Sequence, residues 1–361
     1  MARQMRLEYN LQYDPKDVDI RLQHFTVDRI IAMIDENELE ISEENDLQRL
    51  PDIWDDKRKS LLIESLMINL PLPMFYLDGS ERPWRVIDGL QRLTTLFQFI
   101  SKKSPYMFEL KKLEYLKKEY PNYTFEELPL FKKRRILEAP IEAFVINPGT
   151  SPEVKYSIFQ RINTQGLKLT GQEVRNAVYR GIPSEFTKNL ANHPAFIKAT
   201  NKKVSNKRMS DREYAARYIA FHSFKEQYIS DIDEFLRLAM QSLYKAESWV
   251  LTDLHNSFVT AMDRAYLLLG DYAFYRMEQN MKPRGRTPNK AIFDTLSWNL
   301  SILTDTQFNL LLNQKGKFTK DYVKLQHDNI DFFKAINDTT SSKKAVTNRF
   351  EILQQFIKNM L

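Results

Sequence analysis

Arg85-Val86-Ile87-Asp88-Gly89-Leu90-Gln91-Arg92-Leu93-Thr94-Thr95-Leu96-Phe97-Gln98-Phe99-Ile100 is the stretch on which the fold turns. Val86 and Ile87 make a short apolar strand, and Asp88-Gly89 breaks it. Leu93, Leu96, Phe97 and Ile100 then recur at the spacing of a buried helical stripe. Gln91, Arg92, Thr95 and Gln98 occupy the other face. A strand–Gly–helix junction leaves N–H groups without intrahelical partners at the positive end of the helix dipole, which suits an anion. Arg92 in the first turn offers a two-pronged donor for a phosphate. Asp88 has a simpler role available as the cap of that helix.

Working outward, Met74 to Leu77 reads as a strand that pairs with 84–87 as a hairpin across Asp78-Gly79-Ser80. Thr26 opens a helix over 26–37 with Ile30, Ile31 and Ile34 inward, and Leu39 and Ile41 follow in extended form. A second helix runs from about Asp55 to Asn69 and is stopped by Pro71 and Pro73. Residues 101–139 are rich in Lys and Tyr and read as helical or irregular. Ile141 to Ile146 is the next strand, and Pro152 starts the helix after it. Thr170-Gly-Gln-Glu173 is a capping box, with Gly181 placed to end its helix, and Ser210-x-x-Glu213 looks like another.

Past about residue 185 the strand signals fade, and helical stripes run to the C-terminus. The expectation is α+β: a small mixed sheet in a domain over 1–184, then an all-α domain over 185–361. Two basic stretches interrupt the helices, Lys198 to Arg208 and Met281 to Arg286, and neither contains an acid. They read either as solvated connectors or as contacts for DNA phosphates.

The chain has 361 residues and a net charge of +6, an excess that permits contact with nucleic acid without demanding it. It has no cysteine, which excludes disulfides, thiolate catalysis and cysteine-bound metals. Five histidines are scattered without metal-ligand spacing. Neither GxxxxGK[ST] nor GxGxxG occurs, so a Walker-type NTPase and a Rossmann enzyme are disfavoured. No apolar run is long enough to cross a membrane and the N-terminus lacks a signal core, so the expected location is the cytoplasm.

Three polar clusters are ordered along the chain: Gln48-Arg49 with Trp54, Asp88 to Arg92, and Phe159 to Gly166 leading to Gln172-Glu-Val-Arg-Asn176. Together they resemble the GmrSD-type N-terminal domain family, whose signature is Asp-Gly-Gln-Gln-Arg. Here it stands as Asp88-Gly89-Leu90-Gln91-Arg92. Arg49 before Trp54, Leu-Pro-Leu-Pro at 70–73, the Arg161 to Gly166 turn and the Gln172 to Asn176 helix extend the likeness over roughly residues 15–182. The C-terminal half resembles the helical region of stand-alone members.

The resemblance implies a ParB/sulfiredoxin-like fold with a nucleotide pocket tied to NTP hydrolysis and to DNA restriction or phage defence. It implies Asp88 and Arg92 as the residues essential to activity, with Gln91 beside them. The implied nucleotide-binding set is Arg49, Gly89, Thr94, Thr95, Arg161, Asn163, Thr164, Gly166, Arg175 and Asn176. An NTP with Mg²⁺ would be the cofactor, and no protein-held metal site is expected. Arg92 and the helix-start N–H groups would hold phosphates, Asp88 would orient a water, and Arg49 and Arg161 would face developing charge. Two features point the other way. Leu90 replaces an amide of the signature, and no His-Asn-His nuclease pattern is visible. They favour an adaptor that senses nucleotide or binds DNA for a separate nuclease chain. Thr170 and Glu173 are accounted for by capping alone, and Trp54 by core packing.

Overall fold

The computed structural model describes Leu7 and residues 19–41, 54–162 and 169–361. The chain divides into two compact units, one spanning 11–167 and the other 1–10 with 168–361. This division falls earlier than the 184/185 boundary expected from the fading of strand signals. The reason lies in the helix Gly171–Val178, whose side chains are bonded into the helical unit, as described below.

The first unit is built on a five-stranded mixed sheet, in the order β1-β5-β3-β4-β2. Its strands are β1 (Ile20–Thr26), β2 (Leu39–Glu40), β3 (Phe75–Asp78), β4 (Trp84–Asp88) and β5 (Pro140–Ile146). As expected, β3 and β4 form an antiparallel hairpin. Parallel pairing of β3 with β5 puts Phe75 beside Ala143, and antiparallel pairing of β1 with β5 closes the edge.

The helices of this unit are α1 (Val27–Asp35), α2 (Asp56–Met67), α3 (Leu90–Ile100), α4 (Leu130–Leu137) and α5 (Pro152–Ile162). Asp55 caps α2 by accepting the N–H of Arg58 at 2.8 Å. Along α3, Leu93 and Leu96 of the expected stripe are fully buried, and Phe97 and Ile100 are half-buried against the same core. Phe99 is buried as well, as are Thr95 and Gln98 of the expected polar face, because the helix is covered on more than one side. Leu93, Leu96 and Phe99 join Val27 and Ile30 of α1, Ile63 and Leu66 of α2, and Phe75 and Leu77 of β3 in one cluster. Each such side chain contributes about 1.5–3 kcal/mol by leaving water. The irregular chain at 110–116 is held by Glu64, whose buried carboxylate accepts the N–H groups of Glu114, Tyr115 and Leu116 at 2.7–2.9 Å.

The second unit comprises eleven α-helices among the described residues: α6 (Gly171–Val178), α7 (Ile182–Ala191), α8 (Pro194–Ala199), α9 (Ser210–Phe224), α10 (Ile232–Ser242), α11 (Ser248–Leu269), α12 (Lys290–Ser301), α13 (Asp305–Asn313), α14 (Lys315–Asp328), α15 (Ile330–Asn337) and α16 (Lys343–Lys358). Its core is aromatic-rich, with Phe196, Tyr214, Tyr218, Phe258 and Phe293 in mutual contact. A buried ionic knot supports it: Asp294, 0 % exposed, accepts from Arg217 at 2.8 and 2.6 Å and from Arg349 at 3.0 Å. The shared carboxylate offsets much of the cost of burying these arginines, with Glu213 beside Arg217 and the Thr340 carbonyl accepting from Arg349.

Three local expectations are corrected. The second unit is not purely helical, since β6 (Arg276–Met277) and β7 (Pro283–Arg284) pair as a small antiparallel hairpin. Gly181 does not end α6, whose C-cap is Tyr179; with φ +64° it starts α7 instead. Ser210 is inside α9 rather than capping it, because Met209 at φ +56° is the N-cap and Glu213 is drawn into an ion pair with Lys290. Among the described residues, no helix is long and apolar enough to cross a membrane.

Candidate functional site

Strand β4 ends at Asp88, and the chain must reverse sharply to begin α3. Gly89 makes the reversal at φ +95°, a left-handed conformation that costs a side chain about 1 kcal/mol or more. Space excludes a side chain as well. A Cβ at Gly89 would lie 2.3 Å from Cδ1 of Phe75. The turn is thus pressed on the aromatic ring that opens β3, and only glycine fits there.

Arg92 fastens the same turn from the other side. Its guanidinium lies 4.2 Å from the centre of the Phe75 ring. One terminal nitrogen (Nη1) donates to the carbonyl of Pro73, and the other (Nη2) donates to the carbonyl of Met74 at 3.1 Å and to Oδ2 of Asp88 at 3.0 Å. The side chain is only 12 % exposed. Burial pulls the guanidinium below its ordinary pKa, and the Asp88 carboxylate opposes that shift. Arg92 therefore differs from the outward-facing fork read from the sequence. Its prongs grip the backbone leading into β3.

Asp88 does not cap α3 either. Its Oδ2 takes the Arg92 bond, and Gly89 is the N-cap with no side-chain hydrogen bond. Leu93 N–H returns to the Gly89 carbonyl at 3.0 Å. The N–H groups of Leu90, Gln91 and Arg92 are the ones a helix start leaves without an intrahelical acceptor. An uncapped positive helix end beside a carboxylate that is 34 % exposed is the chemistry this turn offers.

The other expected residues separate into groups. Gln91 is half-buried, and its carbonyl accepts the Thr95 hydroxyl at 2.7 Å. Thr94 and Thr95 are 4 % and 1 % exposed, one turn into the packed body of α3. Among the described residues the Thr94 hydroxyl has no hydrogen-bond partner. Arg161 is exposed in the last turn of α5, and no ion pair among the described residues engages it. Arg49, Asn163, Thr164 and Gly166 lie outside the described residues.

Arg175 and Asn176 belong to the second unit and are each 1 % exposed. Arg175 donates to Asp233 at 2.8 Å and to Gln172 at 3.0 Å, while Asn176 bonds Gln172 at 3.0 Å and Ser184 at 2.9 Å. Their polar groups are committed to packing α6 against its neighbours. The capping box forms in full: Glu173 N–H donates to the Thr170 hydroxyl at 3.2 Å, and Thr170 N–H to the Glu173 carboxylate at 2.6 Å. Trp54 is half-buried against the first core with Arg58 stacked at 4.6 Å, which fits its packing role.

One polar cluster went unforeseen. Asp78 ends β3 and is 4 % exposed; its Oδ2 lies 3.4 Å from Nζ of Lys155 in α5. The Ser80 hydroxyl bridges the two, donating to Asp78 and accepting from Lys155. Asp-Gly-Ser read simply as a turn, and the Lys partner is 75 residues away.

No group of three or more potential metal ligands occurs among the described residues. Asp88 is the acid at the turn, and its Oδ1 is not taken by Arg92. That donor set fits Mg²⁺ only in the mode that takes one carboxylate together with the phosphates of a bound nucleotide.

Residues 30–180 match the sequence model of the GmrSD restriction endonuclease, N-terminal domain. The matched span begins in α1, contains the 88–92 turn and ends just beyond α6. No curated protein and no solved structure matches the chain.

Proposed function

Residues 30–180 carry a domain of the GmrSD restriction endonuclease N-terminal family, and from this premise we propose that the chain binds a nucleoside triphosphate at the start of α3, as a cytoplasmic component of a DNA-restriction or anti-phage system. The observation that carries the reading is the uncapped helix start behind Gly89, held against Phe75 and flanked by Asp88. Backbone N–H groups at such a start meet a phosphate with no side-chain rearrangement. Gly89 removes the Cβ that would force the turn off the ring. Arg92 acts by fixing the turn, since its donors already hold Pro73, Met74 and Asp88. Asp88 would hold Mg²⁺ through Oδ1, and the ion when bound neutralises charge on the phosphates.

A second reading, in which the nucleotide is sensed rather than split, has its own support. Leu90, standing where the family signature has an amide, packs against the first core. Arg92 is likewise occupied before any ligand arrives. In that reading a separate nuclease chain does the cutting.

Titration calorimetry with each NTP and Mg²⁺, followed by phosphate release with and without DNA, tests both. Binding with turnover supports an NTPase, and binding without turnover supports the sensor. Asp88→Asn keeps an acceptor for Arg92 and should weaken the Mg²⁺-dependent part of binding about tenfold. Absence of a binding heat for every NTP overturns the proposal.

A further inference from the structure

The basic stretches of the second unit are distant in sequence, and the fold ties the end of one to the helix that follows the other. Lys198, Lys202, Lys203, Lys207 and Arg208 precede α9, and Lys282, Arg284, Arg286 and Lys290 lead into α12. The end of the second stretch meets the start of α9, into which the first stretch runs. Lys290 Nζ meets Glu213 at 2.6 Å, and the Tyr214 hydroxyl donates to the Pro288 carbonyl at 2.6 Å.

Three of these cations already have partners. Lys198 lies 4.2 Å over the Tyr266 ring, Arg208 pairs with Glu173 at 2.9 Å, and Lys290 pairs with Glu213. The other six, Lys202, Lys203, Lys207, Lys282, Arg284 and Arg286, are exposed and form no ion pair among the described residues. Two acids at this end of α9, Glu173 and Glu213, are the ones in these pairs, and Asp211 follows the first loop at the start of α9. Glu278 is the acid within 276–290.

Both loops are shaped rather than slack. Asn201 and Lys202 have φ of +51° and +54°, and Arg208 and Met209 have +57° and +56°. Left-handed non-glycine residues cost of order 1 kcal/mol each and persist where the surroundings hold them. Here Lys202 N–H bonds the Ile197 carbonyl at 2.9 Å, and Asp211 N–H bonds that of Ser205 at 3.1 Å. The other loop leaves the β6–β7 hairpin, which Gln326 and His327 of α14 tie down through Met277 at 2.9 and 2.6 Å.

A concentration of like charge on fixed loops is a self-repelling arrangement that a polyanion relieves. Neither 198–209 nor 281–290 contains an aromatic residue. Binding of single strands relies on aromatic platforms for unstacked bases, whereas a duplex presents its phosphates to cations alone. We propose that this face of the second unit binds the phosphate backbone of duplex DNA without reading its sequence. The surface lies outside the matched residues 30–180 and does not depend on the nucleotide reading of α3.

Fluorescence anisotropy of the full chain with a duplex of about 30 base pairs and arbitrary sequence, across about 50–200 mM salt, tests this. Six phosphate contacts give a log–log salt slope of about −5 and a loss of affinity of roughly a thousandfold over that range. Lys202→Gln/Lys203→Gln/Lys207→Gln should flatten the slope by about three, and Arg284→Gln/Arg286→Gln by about two. All five positions are exposed, and circular dichroism verifies that the variants fold. A change of sequence should leave affinity within severalfold. Slopes unmoved by both variants, or tighter binding of a single strand or of duplex RNA than of duplex DNA, overturn the proposal. Nucleotide calorimetry on the same variants separates the two claims, because their NTP binding should match that of the parent chain.

Discussion

The helix starts at Gly89 and Thr170 look alike in sequence and end in opposite states. Each is a short polar motif that turns into a helix with an arginine close behind. At Thr170 the capping box closes on itself, with the N–H groups of Thr170 and Glu173 both bonded, and Arg175 is buried against Asp233 and Gln172. At Gly89 the arginine is also committed, yet the helix start has no side-chain cap. A motif that satisfies its own backbone has a complete structural explanation. One that leaves the positive end of a helix uncapped keeps an unmet demand for an anion. The contrast therefore favours a ligand at α3 and a packing role for α6.

The largest way to break this contrast is Gly89→Ala. Positive φ and a contact of 2.3 Å with Phe75 act together, so the turn must move or the ring must leave the core. A loss above about 3 kcal/mol is expected in urea denaturation, since strain and core repacking add. A loss below about 1 kcal/mol would show that the turn is loose, and a loose turn cannot preorganise an anion site.

Arg92→Met comes next, compared with Arg175→Met. Each keeps an unbranched apolar stem and removes the guanidinium with its donors. At Arg92 the carbonyls of Pro73 and Met74 and the Asp88 carboxylate lose their bonds, for about 2–3 kcal/mol. At Arg175 the lost partners are Gln172 and Asp233, and the Asp233 carboxylate is 55 % exposed and rehydrates, so about 1–2 kcal/mol is expected. Calorimetry sharpens the comparison. NTP affinity should fall in the Arg92 variant and hold in the Arg175 variant; equal losses would mean that α6 shares the site.

Thr170→Ala is milder, at about 1 kcal/mol, the usual worth of an N-cap hydroxyl. It removes one half of the box and leaves Glu173 its pair with Arg208. Thermal unfolding reads it, with NTP affinity unchanged.

Local features were legible in the sequence, and long-range partners were not. The β3–β4 hairpin, the stripe of α3 and the Thr170 capping box follow from spacing within about a dozen residues. The structure has the hairpin and the box as read. Of the stripe it buries Leu93 and Leu96 fully, Phe97 and Ile100 by half, and Thr95 and Gln98 of the supposed polar face too. Strand β1 went unread because its alternation of Ile20, Arg21, Leu22 and Gln23 is short and breaks at His24-Phe25, and none of its residues is fully buried. Its identity comes from pairing with β5, more than a hundred residues on. The occupant of the Arg92 fork was invisible for a different reason: two of its three acceptors are backbone carbonyls, and every residue type has one. Arg175 had a polar sequence context that fitted a ligand equally well, and only the fold puts Asp233, 58 residues away, against it.

The smallest effect has the opposite sign. Thr94 stood among the expected nucleotide contacts, and the structure buries its hydroxyl without a partner one turn below the helix start. Thr95, its neighbour, satisfies itself by bonding back to Gln91, so the two hydroxyls are not equivalent. An unpartnered buried hydroxyl carries its desolvation cost in the folded state, and valine has nearly the same shape without that cost. Thr94→Val should therefore raise stability by about 0.5–1 kcal/mol while NTP affinity stays constant, because phosphates at Leu90 to Arg92 are met by backbone. Stability and nucleotide affinity falling together would instead reveal that α3 rearranges when it binds, turning Thr94 outward. The uncapped start would then be the resting form of a site completed by its ligand, rather than a cradle already in place.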